Sequence, residues 1–284
     1  MRIAVTGASG FVGRHVVAEL QRRSLPVVAA IHTHALDAGS PDGIEVKLDL
    51  YDLPADAFQR LGSPQILVHL AWSGLNDYTS SSHVERELPA HMAFLDNMVN
   101  CGVSHVVVAG TCLEYGMKSG ALEENLETKP VVPYAAAKDT LRRHLELLRL
   151  EKDFALTWAR LFYLYGEGQR EASLFGQMER AAGRGDKTFQ LSGGEQKRDY
   201  LHVAEAARLL VDLTLRNQND GVVNVCSGEP ISIRDLTTAW AEEFDWPFQL
   251  EFGGRPYNDY EPMEFWGTRS KLERSLAHAR AASR

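Results

Sequence analysis

Cysteine is scarce in this chain: Cys101, Cys112 and Cys226 are the only three among 284 residues. They are odd in number, scattered, and show no metal-type pairing, so no metal site is expected and a reducing, cytoplasmic setting is. Long apolar runs are missing too, none approaching the roughly 18 residues that a membrane helix requires. The opening "MRIAVTGASG" carries a charge but no apolar stretch before its glycines, so it does not read as a signal peptide. Positive charge is in deficit: 30 Lys and Arg against 38 Asp and Glu leave a formal net charge of −8. That balance argues against nucleic acid or an anionic membrane as the main partner, while a small anionic ligand held by a few local arginines stays open. Repeats and low-complexity linkers are absent.

What is present is a rhythm. With 44% hydrophobic residues the chain can bury one large core, or a core and a smaller lobe. "IAVTG", "PVVAAI", "EVKLDL", "QILVHLA", "HVVVAG" and "ALTWARL" read as strands, and "VGRHVVAELQRR", "HVERELPAHMAFLDNMVNC" and the stretch from Pro133 as helices between them. This βαβ alternation predicts an α/β fold, a doubly wound parallel Rossmann sheet. After about Gly166 the pattern loosens, with helices expected in "EGQREASLFGQMERAAGRGD" and "SGEPISIRDLTTAWAEEF". "RDYLHVAEAARLLVDLTL" reads as a strand and helix returning to the main sheet. The expected organisation is therefore a nucleotide-binding domain over 1–165, rejoined by 198–225, and a smaller substrate-binding lobe over most of 166–284. A cleft is expected at the carboxyl ends of the strands.

Gly7, Gly10 and Gly13 in "VTGASGFVGRH" lie between the first strand and the first helix. Glycine permits the tight turn and a close backbone approach to a pyrophosphate, and the helix N-terminus offers unpaired N–H groups. A dinucleotide is the expected ligand of this turn. Asp49, in the "LDL" that ends the third strand, would accept from an adenine amino group or simply cap the strand. Further along, "PYAAAK" places Tyr134 and Lys138 four residues apart at a helix start that Pro133 favours. Ala137, Leu141, Leu145 and Leu148 form one apolar stripe; Tyr134 falls inside it and Lys138 at its edge. A lysine there needs a partner or a chemical task, because a buried ammonium is costly.

"TGASGFVG", "AGTCLEYG", "PYAAAK" and "RDYLHV", in that order, resemble the extended short-chain dehydrogenase/reductases of the NAD(P)-dependent epimerase/dehydratase family, which act largely on nucleotide sugars. The resemblance spans essentially the whole chain. It implies that Tyr134 supplies a proton to a sugar carbonyl taking hydride, that Lys138 lowers the tyrosine's pKa and bonds the nicotinamide ribose, and that Thr111 holds the same oxygen. It also implies a cofactor site built from Gly7, Ser9, Gly10, Phe11, Val12, Gly13 and Arg14, with His32, Asp49, Leu50, Leu70 and Ala71 at neighbouring strand ends and with Tyr134 and Lys138. A homodimer is expected, joined through the helices at about 84–100 and 133–151.

Departures from the family pattern narrow the chemistry. The 4,6-dehydratases resembling this family carry Asp-Glu directly after the threonine; here Cys112 and Leu113 stand there. Cys112 is expected to pack away from the site. Relatives that prefer NAD end the second strand with an acid, and Ile31 holds that place. With Arg14 and His32 nearby, NADP is the expected cofactor and NAD the alternative. Arg198 and Arg255 are the expected contacts to a substrate diphosphate. Trp72 and Tyr163 stand where a small residue and an asparagine are usual, and are read as shaping the sugar pocket. The expected reaction is reduction of a nucleoside-diphosphate 4-keto-6-deoxyhexose, with a 4-epimerase holding NAD as the alternative and a non-catalytic dinucleotide-binding regulator as a remote one.

Overall fold

The structure, a computed structural model, describes residues 1–32 and 44–282. The first half alternates as the sequence predicts: β1 (Ile3–Thr6), α1 (Phe11–Arg22), β2 (Val27–Ile31), β3 (Ile44–Lys47), a single turn α2 (Ala57–Arg60) and β4 (Ile66–His69). A π-helical turn over His83–Glu87 leads into α3 (Leu88–Asn100), followed by β5 (His105–Thr111), a 3-10 turn (Cys112–Tyr115), β6 (Gly120–Leu122), α4 (Pro133–Glu151) and β7 (Ala155–Leu161). The second half comprises β8 (Tyr163–Tyr165), α5 (Leu174–Arg184), β9 (Thr188–Gln190), β10 (Lys197–His202), α6 (Val203–Arg216) and β11 (Gly221–Val225). It ends with β12 (Pro230–Ser232), α7 (Ile233–Glu243), β13 (Gln249–Glu251), β14 (Phe265–Gly267) and α8 (Ser270–Ala282).

Seven strands form one sheet in the order β11-β7-β5-β4-β1-β2-β3, every neighbouring pair parallel. The order reverses between β1 and β4, which opens a crevice at their carboxyl ends. Helices cover both faces because the inner strands are apolar on both sides. On one face Val16, Val17 and Leu20 of α1 join Leu209, Leu210 and Leu213 of α6 over the sheet. On the other, Phe94, Leu95 and Met98 of α3 and Leu141 and Leu145 of α4 close around Trp158. Burial of one such side chain contributes about 1.5–3 kcal/mol. A separate cluster around Phe175, Met178, Phe189, Trp240 and Phe248 binds α5, β9, α7 and the chain before β13 into the smaller lobe.

Of the segment 198–225, only part rejoins the main sheet. Lys197–His202 pairs with β8 and β12 in a three-stranded sheet instead, while α6 packs back and Gly221–Val225 supplies the seventh strand. The reason lies in charge. Arg198 and Asp199 are both buried; Arg198 pairs with Glu261, which borders the cleft, and Asp199 accepts from the backbone N–H groups of Ser227, Gly228 and Gly267. The helix expected across 167–186 is limited to Leu174–Arg184, where Ser173 accepts from the Gly176 N–H as N-cap.

Candidate active site

The site grows from the glycine turn. Gly7 has φ +68°, and a Cβ there would lie 2.6 Å from the Ala71 backbone nitrogen; a Cβ on Gly13 would lie 2.0 Å from the Gly7 carbonyl oxygen. Any side chain at either place would push β1, α1 and the end of β4 apart. At Gly10, the N-cap of α1, a Cβ would approach only the Gly7 oxygen at 3.1 Å. Two cavities meet at this turn. One, of 220 Å³, is bordered by Ser9, Ile31, His32, Leu48, Leu50 and Tyr51; the other is a cleft of 590 Å³ bordered by Phe11, Val12, Gly13 and Leu70. Gly7, Gly10, Ala71 and Trp72 line both. A glycine-edged helix N-terminus between two connected cavities fits a dinucleotide, whose pyrophosphate the turn at Gly10 would hold.

The strand-end residues divide. His32 borders the smaller cavity and lies 3.5 Å from Asp49, which accepts from the Tyr51 N–H and faces a separate surface hollow. Arg14 donates to the Ser9 carbonyl at 3.4 Å and its guanidinium packs on Gly168. The structure therefore groups His32 and Leu50, but neither Asp49 nor Arg14, with the cavity beside Ile31.

Thr111, Tyr134 and Lys138 all line the large cleft. Thr111 ends β5 and caps the 3-10 turn: its Oγ1 accepts from the Leu113 N–H, while its own N–H donates to Glu114 Oε1 at 2.9 Å. Tyr134 opens α4, with Pro133 at N1, and borders the same cleft as Thr111. Burial, reinforced by Tyr78, Glu114 and Cys112, pushes its hydroxyl well above the ordinary phenol range, so the ring holds its proton. Lys138 is 2% exposed. Its ammonium donates to the Ala109 carbonyl at 2.9 Å and stands 4.0 Å over the Trp72 ring, and burial pulls its pKa down to about 7. Cys112, expected to pack away, borders the cleft while remaining buried, and burial keeps its thiol protonated.

Glu114 is held away from chemistry. Its carboxylate is fully buried and accepts from Arg160 Nε at 2.7 Å and from the Trp158 indole N–H at 3.0 Å. No acid or base follows Thr111 into the cleft.

Toward the smaller lobe, a cavity of 220 Å³ brings Arg198 and Arg255 together and shares Tyr163, Leu174, Tyr200, Asn258 and Glu261 with the cleft. Arg198 is buried and paired with Glu261 at 3.0 Å; Tyr163 donates to the other oxygen of Glu261 at 2.5 Å. Arg255 is exposed and donates to Gln177. Trp72 lies beside Lys138 and edge-on to Tyr134 at 6.1 Å, and it does not line the arginine cavity. Three residues that sequence reasoning passed over belong to the cleft. Tyr78 stacks on Tyr134 at 4.9 Å, Arg170 donates to the Tyr78 hydroxyl at 2.8 Å, and Glu261 joins the two cavities. The only hints were "YGEGQR", directly after β8, and the closeness of Glu261 to Arg255 along the chain.

A model of the NAD dependent epimerase/dehydratase family matches residues 3–226. The chain belongs to that family and is an NAD(P)-dependent oxidoreductase of the extended short-chain dehydrogenase/reductase type. It is 27% identical over 276 residues to the dTDP-6-deoxy-L-talose 4-dehydrogenase (NAD(+)) of Aggregatibacter actinomycetemcomitans, covering 95% of this chain and 100% of that one. To the dTDP-4-dehydro-6-deoxyglucose reductase of Escherichia coli it is 22% identical over 260 residues, covering 82% and 79%. A solved complex of MoeE5 with UDP-glucuronic acid and NAD superposes with a TM-score of 0.83 at 26% identity, covering 98% of this chain and 93% of that one. No helix among the described residues is long and apolar enough to cross a membrane.

Proposed function

We propose that the protein reduces the carbonyl at carbon 4 of a nucleoside-diphosphate 4-keto-6-deoxyhexose. The observation that carries the reading is a cleft holding Thr111, a protonated Tyr134 and Lys138, with Glu114 locked onto Arg160 and no acid/base pair after Thr111. A bound nicotinamide would supply hydride. Tyr134 gives its proton to the resulting alkoxide oxygen, Thr111 donates a hydrogen bond to the same atom, and the Lys138 ammonium stabilises the phenolate left behind. Leu75, Leu113 and Phe162 give the cleft an apolar wall suited to a sugar methyl group. Arg255, and Arg198 once released from Glu261, are placed for the diphosphate. Dehydration lacks its carboxylates. The relatives named as a 4-dehydrogenase and a 4-dehydro-sugar reductase support chemistry at this carbon.

NADP is the proposed cofactor form, resting on Ile31 and His32 without help from Arg14. A cytoplasmic homodimer is part of the same reading; Leu147 and Leu150, 64% and 81% exposed on α4, support an interface there. The test of function is a panel of nucleoside-diphosphate 4-keto-6-deoxyhexoses mixed with NADPH or NADH, followed by nicotinamide absorbance. At least one member should oxidise the coenzyme. Failure of all of them, with interconversion of nucleotide hexoses by the same preparation, would replace reduction with epimerisation.

A further inference from the structure

Lys138 is an unusually placed cation. Among the described residues no carboxylate forms an ion pair with it; its ammonium has the Ala109 carbonyl at 2.9 Å and the face of Trp72 at 4.0 Å. The charged and titratable groups facing it are Glu114 from the turn after β5, Glu87 from the π-helical turn, and His69 and His91 from β4 and α3, with the Tyr134 phenol on its own helix. Glu114 is committed to Arg160. Glu87 accepts from the Tyr51 hydroxyl at 2.6 Å and from the Ser73 N–H at 3.2 Å.

The indole itself is fixed from two sides. Its N–H can only donate, and it donates to His83 Nδ1 at 3.1 Å, so the Nε2–H of His83 donates to the Asp77 carbonyl at 2.9 Å. Its ring stacks on His91 at 4.4 Å and 17°. His91 is anchored in turn: Nε2 faces Glu87 at 3.5 Å, Nδ1 meets His69 Nε2 at 2.7 Å, and His69 Nδ1 meets Thr6 Oγ1 at 2.7 Å. The run from Thr6 through His69 to His91 is hydrogen-bonded and ends with His91 Nε2 facing Glu87, an arrangement that suits both rings neutral. Burial of both histidines favours that neutral state. Five polar side chains thus hold one indole in a fixed plane. Packing alone does not need such a frame; holding a cation over a ring does.

We propose that Trp72 is a positioning residue for Lys138: its ring holds the ammonium charged and aimed into the cleft, and the His69–His91–Glu87 run and His83 hold the ring. The inference rests on the reading of Lys138 as the group beside the proton donor, but its test is independent of turnover. Protein labelled with carbon-13 at the lysine ε position is titrated by NMR, with Lys138 assigned from Lys138→Arg. Wild type should show ε-methylene protons of Lys138 shifted upfield by the indole ring current and a titration midpoint below those of the other lysines. Trp72→Leu should abolish the upfield shift and lower the midpoint further by about one pH unit, since a desolvated cation–π contact favours the charged form. Trp72→Phe, which keeps a π face, should fall between the two and guards against misfolding of the leucine variant. An unshifted Lys138 signal in wild type, or a midpoint unchanged or raised in Trp72→Leu, overturns the proposal. The function reading fails separately, if Lys138→Met turns over substrate at the wild-type rate.

Discussion

Tyr134 is where residue-scale physics is most exposed to test. Burial keeps its phenol protonated, so it donates. Tyr134→Phe should lower single-turnover hydride transfer by about 10² or more, while nicotinamide binding measured by fluorescence stays near wild type. Wild-type transfer in that variant would remove the tyrosine from the mechanism. Lys138, buried and with a pKa near 7, is stabilised in its charged form less in the folded than in the unfolded chain. For a base whose folded pKa is depressed, the penalty is fully present below about pH 7 and fades as pH rises toward the unfolded value of 10.5. Lys138→Met should therefore stabilise the protein at pH 6 by ~1–3 kcal/mol, with a smaller gain above pH 9, both read from urea midpoints. At the cofactor side, Ile31→Asp should weaken NADPH far more than NADH, because a carboxylate there repels a 2′-phosphate and accepts ribose hydroxyls. Equal effects on both dissociation constants would remove Ile31 from cofactor choice. Tyr134, Lys138 and the glycines were legible because their relation is local: a helix turn or a strand-to-helix turn fixes it. Tyr78, Arg170 and Glu261 were not, because only tertiary packing carries them to Tyr134 and Tyr163.

At the scale of elements, the turn Cys112–Tyr115 decides what the cleft lacks. Glu114 closes the capping box that Thr111 opens, and its carboxylate is bound by Arg160, Trp158 and the Thr111 N–H. Glu114→Leu leaves the Arg160 charge buried without its partner and should cost about 3–5 kcal/mol. Adding Arg160→Leu should recover a substantial part of that loss, because the pair is coupled. Simple addition of the two single losses in denaturant melts would show that the ion pair does not organise the turn. The strands β1, β2, β4, β5 and β7 could be read from the sequence because a parallel strand buried on both faces is a continuous apolar run. β11 escaped because "GVVNV" carries a glycine and an asparagine in five residues; Asn224 is buried there and accepts from the Tyr115 hydroxyl at 2.8 Å. β10 was placed in the wrong sheet because its apolar alternation is genuine, while the partners of Arg198 and Asp199 come from chain far ahead in sequence.

For the molecule as a whole, a seven-stranded sheet and a smaller lobe place three connected cavities in series, the glycine turn at one junction and Glu261 at the other. That geometry suits a dinucleotide and a sugar nucleotide meeting over Tyr134. The proposed reaction is net hydride transfer to carbon 4 of the sugar. It is tested most directly with NADPH deuterated at the transferable position of the nicotinamide and a nucleoside-diphosphate 4-keto-6-deoxyhexose, with coenzyme loss and product deuterium measured together. One coenzyme should be oxidised for each sugar formed, with one deuterium at carbon 4 of the product. Epimerised sugar nucleotide with no net coenzyme loss and no deuterium from added NADPH would contradict it.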